Sequence, residues 1–418
     1  MPVNRIALIC VHTSPLAPMG GAKTGGMNVY IRELSRELGR QGLRVDIFTR
    51  RSRELDPEID TSIGENVRVI YLKAGPLLPW TPEEHYDYLS EFTAALMAFA
   101  TLRSLQYDLV YSHYWLSGWV AAKLKEVWGT RFAHMYHTLG HMKKRIEVSA
   151  GYQPDIRIMT EQQILQTADR IIAATPAEQA QLRWLYRATR RQITVIPPGV
   201  NAGRFQDGMS GREARESLGL APDGHMLLFV GRIEPLKAVD TILEALHVLR
   251  ERAPAMLRRL HFMIVGGDPT SGDDREMNRL QTKSVELAID PLVSFVGAKE
   301  QSELPRYYAA ATAVIMPSDY ESFGMVALEA MSSGTPVIAS QVGGLQFLVR
   351  DQETGFHIPA REPISLADCI IQLLSDPSKA ASMGISASRL AKTYAWSEIA
   401  RRLISVFDEV ADQALKNA

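Results

Sequence analysis

Two cations, Arg232 and Lys237, close the run Gly231-Arg232-Ile233-Glu234-Pro235-Leu236-Lys237. Arginine presents a planar fork to phosphate oxygens and lysine a compact point charge. Together they could neutralise a leaving diphosphate without a metal, although a solvated loop would carry the same residues. Two carboxylates form a second constellation in Pro317-Ser318-Asp319-Tyr320-Glu321-Ser322-Phe323-Gly324-Met325-Val326-Ala327-Leu328-Glu329-Ala330. Glu321 reads as a loop residue, and Glu329 as lying two turns inside a helix that starts near Phe323-Gly324. Carboxylates on one ligand-facing side accept hydrogen bonds from several hydroxyl groups, while the amides of Gly324, Met325 and Val326 at the helix start suit an anion. Apolar neighbours of Glu329 argue that its face is buried. Glycines supply the third feature: Gly20-Gly21 and Gly25-Gly26 flank Ala22-Lys23-Thr24, and Gly343-Gly344 makes another turn open to close backbone approach. The first turn matches neither a P-loop nor a clean dinucleotide fingerprint, and a plain connecting turn remains open.

Each group follows a short apolar run. Ile6 to Val11 precedes the first glycine turn, a helical pattern covers Met27 to Arg40, and Val45 to Phe48 resumes as a strand. Strand, turn, helix, strand is a βαβ unit and calls for a parallel sheet. Leu109 to Tyr111, Phe132 to Tyr136, Arg170 to Ala174 and Ile193 to Ile196 extend the alternation, with a helix expected after Ser117. Pro197-Pro198-Gly199-Val200 can continue neither strand nor helix and marks the best internal break. Strands then recur at Leu227 to Val230, Phe262 to Val265, Val293 to Val296, Ala313 to Met316 and Val337 to Ala339. Helices are expected at Ala238 to Arg252 and Met277 to Ala288. The reading is an α/β chain of two doubly wound halves, 1–198 and 199–395.

Bulk composition fits that size. The 418 residues are 46% hydrophobic and 22% charged, enough apolar material for two cores. A net charge of −1 gives no reason to expect nucleic acid as a partner. Cys10 and Cys369 fall in no metal or redox spacing, so both read as reduced core residues of a cytoplasmic protein. No apolar run is long enough to span a membrane, and the start of the chain lacks the pattern of a signal peptide.

These motifs resemble the retaining glycosyltransferases of family 4, which have the two-domain GT-B fold. The likeness covers nearly the whole chain, through Gly25-Gly26-Met27-Asn28, Pro197-Pro198-Gly199-Val200-Asn201, Gly231-Arg232 with Lys237, Glu321 with Glu329, and Gly343-Gly344. It implies two Rossmann-like domains facing across a cleft, with a helix over 396–418 returning to complete the first. It also implies roles. Arg232 and Lys237 would hold the diphosphate of a UDP-sugar, Gly26 would approach it, and Glu321 would bind the transferred sugar with the Gly324, Met325 and Val326 amides. Glu329 would take the ribose hydroxyls, and a loop from Phe295 and Val296 to Ala298 would face the base. His137, which alone reads as a structural histidine, would lie near the reacting sugar. Transfer would proceed on the front face, with retained configuration, no covalent enzyme intermediate, and no metal or other cofactor.

Two subgroups with phosphorylated acceptors come nearest: sucrose-phosphate synthases and D-inositol-3-phosphate glycosyltransferases. The second implies an acceptor-phosphate pocket of Lys73, Tyr114, Thr138 and Arg157, with Asn28 near the acceptor ring. Met27 favours the inositol type, whereas His137-Thr138-Leu139-Gly140 with Lys143 leans toward the sucrose type. The favoured reading is transfer from UDP-glucose to fructose 6-phosphate; the alternative is UDP-N-acetylglucosamine to inositol phosphate. Rivals from other classes are a two-lobed sugar-nucleotide binding protein without catalysis, and a phosphorylase, for which no pyridoxal lysine motif is seen.

Overall fold

Eight strands build the first sheet: β1 (Arg5–Ile9), β2 (Arg44–Arg50), β3 (Ile59–Asp60), β4 (Val67–Leu72), β5 (Leu109–His113), β6 (Phe132–Met135), β7 (Arg170–Ala173) and β8 (Ile193–Val195). Six build the second: β9 (His225–Val230), β10 (Leu260–Val265), β11 (Val293–Gly297), β12 (Ala313–Met316), β13 (Val337–Ser340) and β14 (Gly355–Ile358). The structure is a computed structural model and describes residues 2–17, 25–78, 80–146, 155–206, 208–269 and 274–417. Gly20 and Gly21 of the first glycine turn lie outside these described residues, as do Ala22, Lys23 and Thr24.

The chain divides into two units. The first comprises Met1–Ala17, Gly26–Pro197 and Trp396–Ala418; the second comprises Pro18–Gly25 and Pro198–Ala395. Strand order is β3-β4-β2-β1-β5-β6-β7-β8 in the first and β11-β10-β9-β12-β13-β14 in the second. Every pairing is parallel except the two-residue β3, which runs antiparallel to β4 at the edge. Both are doubly wound Rossmann-like sheets, together the GT-B fold class expected from the sequence. Central strands are buried on both faces: Ile6, Ala7, Leu8 and Ile9 of β1 are fully inaccessible, as are Ala313, Val314 and Ile315 of β12. That double burial explains why these strands read as continuous apolar runs rather than alternating ones.

Some elements were not legible. β4 carries Arg68 in its interior, a poor strand signal, but the guanidinium forms two hydrogen bonds of 2.7 Å with Asp46 on neighbouring β2. β14 is only four residues long and starts on a glycine. The helix expected after Ser117 starts earlier and spans Tyr114–Trp128, leaving β5 with no intervening loop. Its end is marked by Gly129 at φ 70°, whose N–H donates to the Lys125 carbonyl. Helix Trp396–Asn417 belongs to the first unit, where Trp396 meets Tyr30 at 5.5 Å and Phe407 meets Tyr111 at 5.1 Å between ring centres. Cys10 and Cys369 are both buried and free.

Candidate functional site

In a doubly wound sheet the strand order turns at one pair of neighbours, and crossovers leave that pair in opposite directions. The loops part there and leave a crevice at the carboxyl ends of the strands. In the second unit the turning pair is β9 and β12. Arg232 and Lys237 leave the end of β9, and Glu321 leaves the end of β12. The two sequence motifs, 84 residues apart at Lys237 and Glu321, therefore meet: Nζ of Lys237 donates to Oε2 of Glu321 at 2.5 Å. Both side chains are largely covered, at 18% and 16% exposure, whereas Arg232 is exposed and paired with Glu234 at 2.6 Å.

Backbone packing fixes the Glu321 loop. Gly344 N–H donates to the Glu321 carbonyl at 2.8 Å. A Cβ at Gly343, which has φ 48°, would sit 1.9 Å from that same oxygen. What Gly343-Gly344 approaches so closely is thus the carboxylate's own loop. Gly324, at φ 104°, then turns the chain into helix Met325–Ser332, whose first amides include Met325 and Val326. With the helix starting at Met325 rather than Phe323-Gly324, Glu329 comes at its second turn. Glu329 is buried, as its apolar neighbours implied. Its carboxylate accepts from Gln301 Nε2 at 3.1 Å and from the Tyr308 hydroxyl at 2.8 Å, two partners the sequence did not suggest. Phe295 and Val296 are not in a loop: β11 runs on through Gly297. Phe295 pairs with Ile264 and Gly297 with Val265, so Val296 is the extra residue of a bulge.

In the first unit the turning pair is β1 and β5. Gly26 opens helix Gly26–Arg40 beyond β1, and Asn28 in its first turn is buried, donating to Thr13 Oγ1 at 2.7 Å and the Ser14 carbonyl at 2.8 Å. Tyr114 is the first residue after β5 and His137 comes two residues after β6. Both have left-handed backbones, φ 72° and 63°, a conformation that costs free energy for any residue with a Cβ. Such strain is concentrated at functional positions because the surrounding fold must hold it there.

Arg157 gathers two of the predicted acceptor residues, Tyr114 and Thr138. Asp155 caps helix Ile156–Thr167 by accepting from the Arg157 and Ile158 amides, which sets Arg157 in the first turn. Its side chain is 9% exposed. Nη2 donates to Thr138 Oγ1 at 2.9 Å and to the Thr138 carbonyl at 2.8 Å, and Nη1 donates to the Tyr114 hydroxyl at 3.2 Å. Nε donates to Glu161 at 2.8 Å. Burial opposes the charge on Arg157, but the carboxylate of Glu161 overcomes it and raises the pKa above its ordinary value. Glu161 is fully buried, accepts also from the Gly140 amide and the Tyr186 hydroxyl, and went unnoticed in the sequence. A glutamate four residues after the arginine on one helix was the available signal. Lys73 follows β4 and is exposed; no described contact joins it to Tyr114, Thr138 or Arg157.

His137 lies beside another residue that the sequence did not single out. Its Nε2 is 3.0 Å from Nδ1 of His113, the last residue of β5, and its ring packs edge-on to Tyr30 at 5.3 Å. Burial pushes the His137 pKa down to about 3, so the ring is neutral at physiological pH.

Comparisons with known proteins bear on the family and the fold. The family described as "Glycosyltransferase Family 4" matches residues 24–204, and that described as "Glycosyl transferases group 1" matches residues 210–390. The chain is 39% identical over 406 residues to a D-inositol 3-phosphate glycosyltransferase of Corynebacterium urealyticum, covering 96% of this chain and 95% of the relative. It is 40% identical over 409 residues to D-inositol 3-phosphate glycosyltransferase 2 of Catenulispora acidiphila, covering 97% and 94%. Among solved structures, a sucrose-phosphate synthase from Thermosynechococcus elongatus superposes with a TM-score of 0.86 at 36% identity, covering 97% of this chain and 99% of that one. The chain belongs to the family 4 glycosyltransferases of GT-B fold and is a transferase enzyme. Among the described residues no helix is long and apolar enough to cross a membrane.

Proposed function

We propose that the protein moves a sugar from a UDP-sugar to a phosphorylated polyhydroxyl acceptor, with inositol phosphate as acceptor and UDP-N-acetylglucosamine as donor. The observation that carries the acceptor class is the convergence of Arg157, Thr138 and Tyr114. Their guanidinium and two hydroxyl groups meet within 3.2 Å, Arg157 and Tyr114 from two helices and Thr138 from the loop after β6. A phosphate would take charge-assisted hydrogen bonds from the fork and from both hydroxyls. Exposed Lys73 would supply a second positive charge, and Asn28 would lie near the acceptor ring. Similarity to the inositol-phosphate enzymes, at 39–40% identity across nearly the whole chain, supports inositol over fructose. That moves the preference away from the fructose 6-phosphate reading favoured in the sequence.

On the donor side, Lys237 and Arg232 meet the diphosphate. Glu321 holds the transferred sugar with the Gly324, Met325 and Val326 amides, and Glu329 takes the ribose. Phe295 and Val296 border the base. The diphosphate leaves, an oxocarbenium-like transition state forms, and the acceptor hydroxyl enters on the same face, giving up its proton to a leaving phosphate oxygen. Positioning and stabilisation of the departing charge do the work. Neutral His137 offers a sugar a hydrogen-bonding group that carries no charge near neutral pH. The two buried free cysteines fit a reducing compartment, so the cytoplasm is the proposed place of action.

A second reading, UDP-glucose to fructose 6-phosphate, is favoured by the superposition on a sucrose-phosphate synthase. UDP release measured for each donor with inositol 1-phosphate, inositol 3-phosphate, fructose 6-phosphate and plain fructose separates the two. Turnover that requires UDP-N-acetylglucosamine and an inositol phosphate supports the first reading. Turnover that requires UDP-glucose and fructose 6-phosphate replaces it with the second. Equal rates with unphosphorylated acceptors would remove the phosphate role from Arg157.

A further inference from the structure

Arg361 lies three residues beyond β14, outside every motif discussed so far, in a left-handed backbone conformation of φ 59°. Its guanidinium uses all three nitrogens. Nε donates to Asp319 Oδ1 at 2.8 Å and Oδ2 at 3.0 Å, and Nη2 donates to Asp319 Oδ2 at 2.6 Å. Nη1 donates to both oxygens of Asp240 at 3.0 and 3.1 Å, and Nη2 also to the Pro235 carbonyl at 2.9 Å. Pro235 lies in the turn that presents Lys237; Asp319 lies two residues before Glu321. The two loops are joined once more by the Asp319 amide, which donates to the Leu236 carbonyl at 2.9 Å. One planar, permanently charged group thus ties the loop after β9 to the loop after β12.

We propose that Arg361 is a positioning residue that locks the Lys237 loop to the Glu321 loop, so that the diphosphate end of the donor meets groups already in place. This rests on the donor assignment above. A guanidinium suits the task because its donors lie in one plane at fixed angles and can serve two carboxylates and a carbonyl together. A lysine at this position could reach one carboxylate but could not span all three acceptors. Asp240, only 13% exposed, is also bonded by Arg279 Nη2 at 3.2 Å, which braces the anchor from the far side. The lock touches neither Glu329 nor Phe295, the residues assigned to ribose and base.

Two measurements on the full-length chain test this. Calorimetric titration of UMP and UDP compares a ligand lacking the second phosphate with one that has it. In Arg361→Gln the UDP dissociation constant should rise about tenfold, with that for UMP within about twofold of the wild type, and Arg361→Lys should recover only part of the loss. Hydrogen exchange, read without ligand, should speed up in the peptides covering 232–238 and 317–323 and stay unchanged elsewhere in the second unit. Equal losses for UMP and UDP, unchanged UDP binding, or exchange that is unaltered or raised throughout the unit would overturn the inference. If the wild type binds neither nucleotide, the donor assignment fails, and the exchange data alone still decide whether Arg361 holds the two loops.

Discussion

Nε2 of His137 and Nδ1 of His113 are 3.0 Å apart, so one neutral imidazole donates a hydrogen to the other. The other nitrogen of His113, Nε2, is buried and has no partner among the described residues. A buried N–H without an acceptor is rarer in folded proteins than a bare acceptor. The shared hydrogen therefore belongs to His113 Nδ1, and His137 carries its own hydrogen on Nδ1. Nitrogen-15 NMR should report His137 as the Nδ1–H form between pH 6 and 8, with no protonation step in that range. A His137 in the Nε2–H form would reverse the assignment.

Two fully buried histidines, His113 and His134, and the half-buried His137 give the first unit a defined acid sensitivity. Burial brings His134 and His137 down from 6.5 to about 3, and His113 well below its ordinary value. Each is neutral when folded and takes up a proton below about 6.5 once unfolded, so its stabilising contribution is present above that pH and fades toward 3. Urea midpoints should fall as pH drops from 7 to 4, and His134→Asn should make the slope shallower. A midpoint independent of pH over that interval would contradict the burial argument. Glu178 works in the opposite sense: burial lifts its pKa from 4.5 to about 7, which favours the protonated folded form and lowers stability as pH rises through 7. The wild type should therefore lose ground to Glu178→Gln between pH 5 and pH 8, by an amount on the order of 3 kcal/mol.

Arg157 and Glu161 separate stability from binding. Removing Arg157 alone leaves Glu161 buried without its counter-charge, at a cost of about 3–5 kcal/mol. Arg157→Met should therefore lower both the urea midpoint and the affinity for a phosphorylated acceptor. The double variant Arg157→Met, Glu161→Leu should regain much of the stability while the acceptor KM stays raised. Recovery of both together would mean that Arg157 serves the fold only.

Gly343 is the tightest constraint on the Glu321 loop. A methyl group there would overlap the Glu321 carbonyl oxygen, and φ 48° is unfavourable for alanine. Gly343→Ala should cost about 1–3 kcal/mol and reduce UDP release at saturating donor, because Glu321 must move. Undiminished turnover would show that the loop can shift without consequence.

The chemistry-bearing loops were legible in sequence because each follows an apolar strand and contains residues that few other contexts favour together. Gly231 to Lys237 and Glu321 to Glu329 are local, contiguous runs. Their meeting at β9 and β12 is a matter of strand order, which spacing along the chain does not encode. The same limit hid Arg361, Tyr308, Gln301 and His113. Each acts through a partner far away in sequence, Arg361 on Asp240 across 121 residues, and nothing nearby marks it. Glu161 was missed for another reason: a charged residue four positions from an arginine is ordinary on a solvated helix, and only its complete burial makes it unusual.

Helix Trp396–Asn417 fills a place in the first unit that nothing earlier in the chain occupies. It sets Trp396 against Tyr30 and Phe407 against Tyr111, and Asp408 accepts from the Val3 amide at 2.7 Å. During synthesis, the whole second unit leaves the ribosome before this helix does. The half that starts first must therefore finish last, holding Tyr30 and Tyr111 open while the later half is already able to close its own sheet.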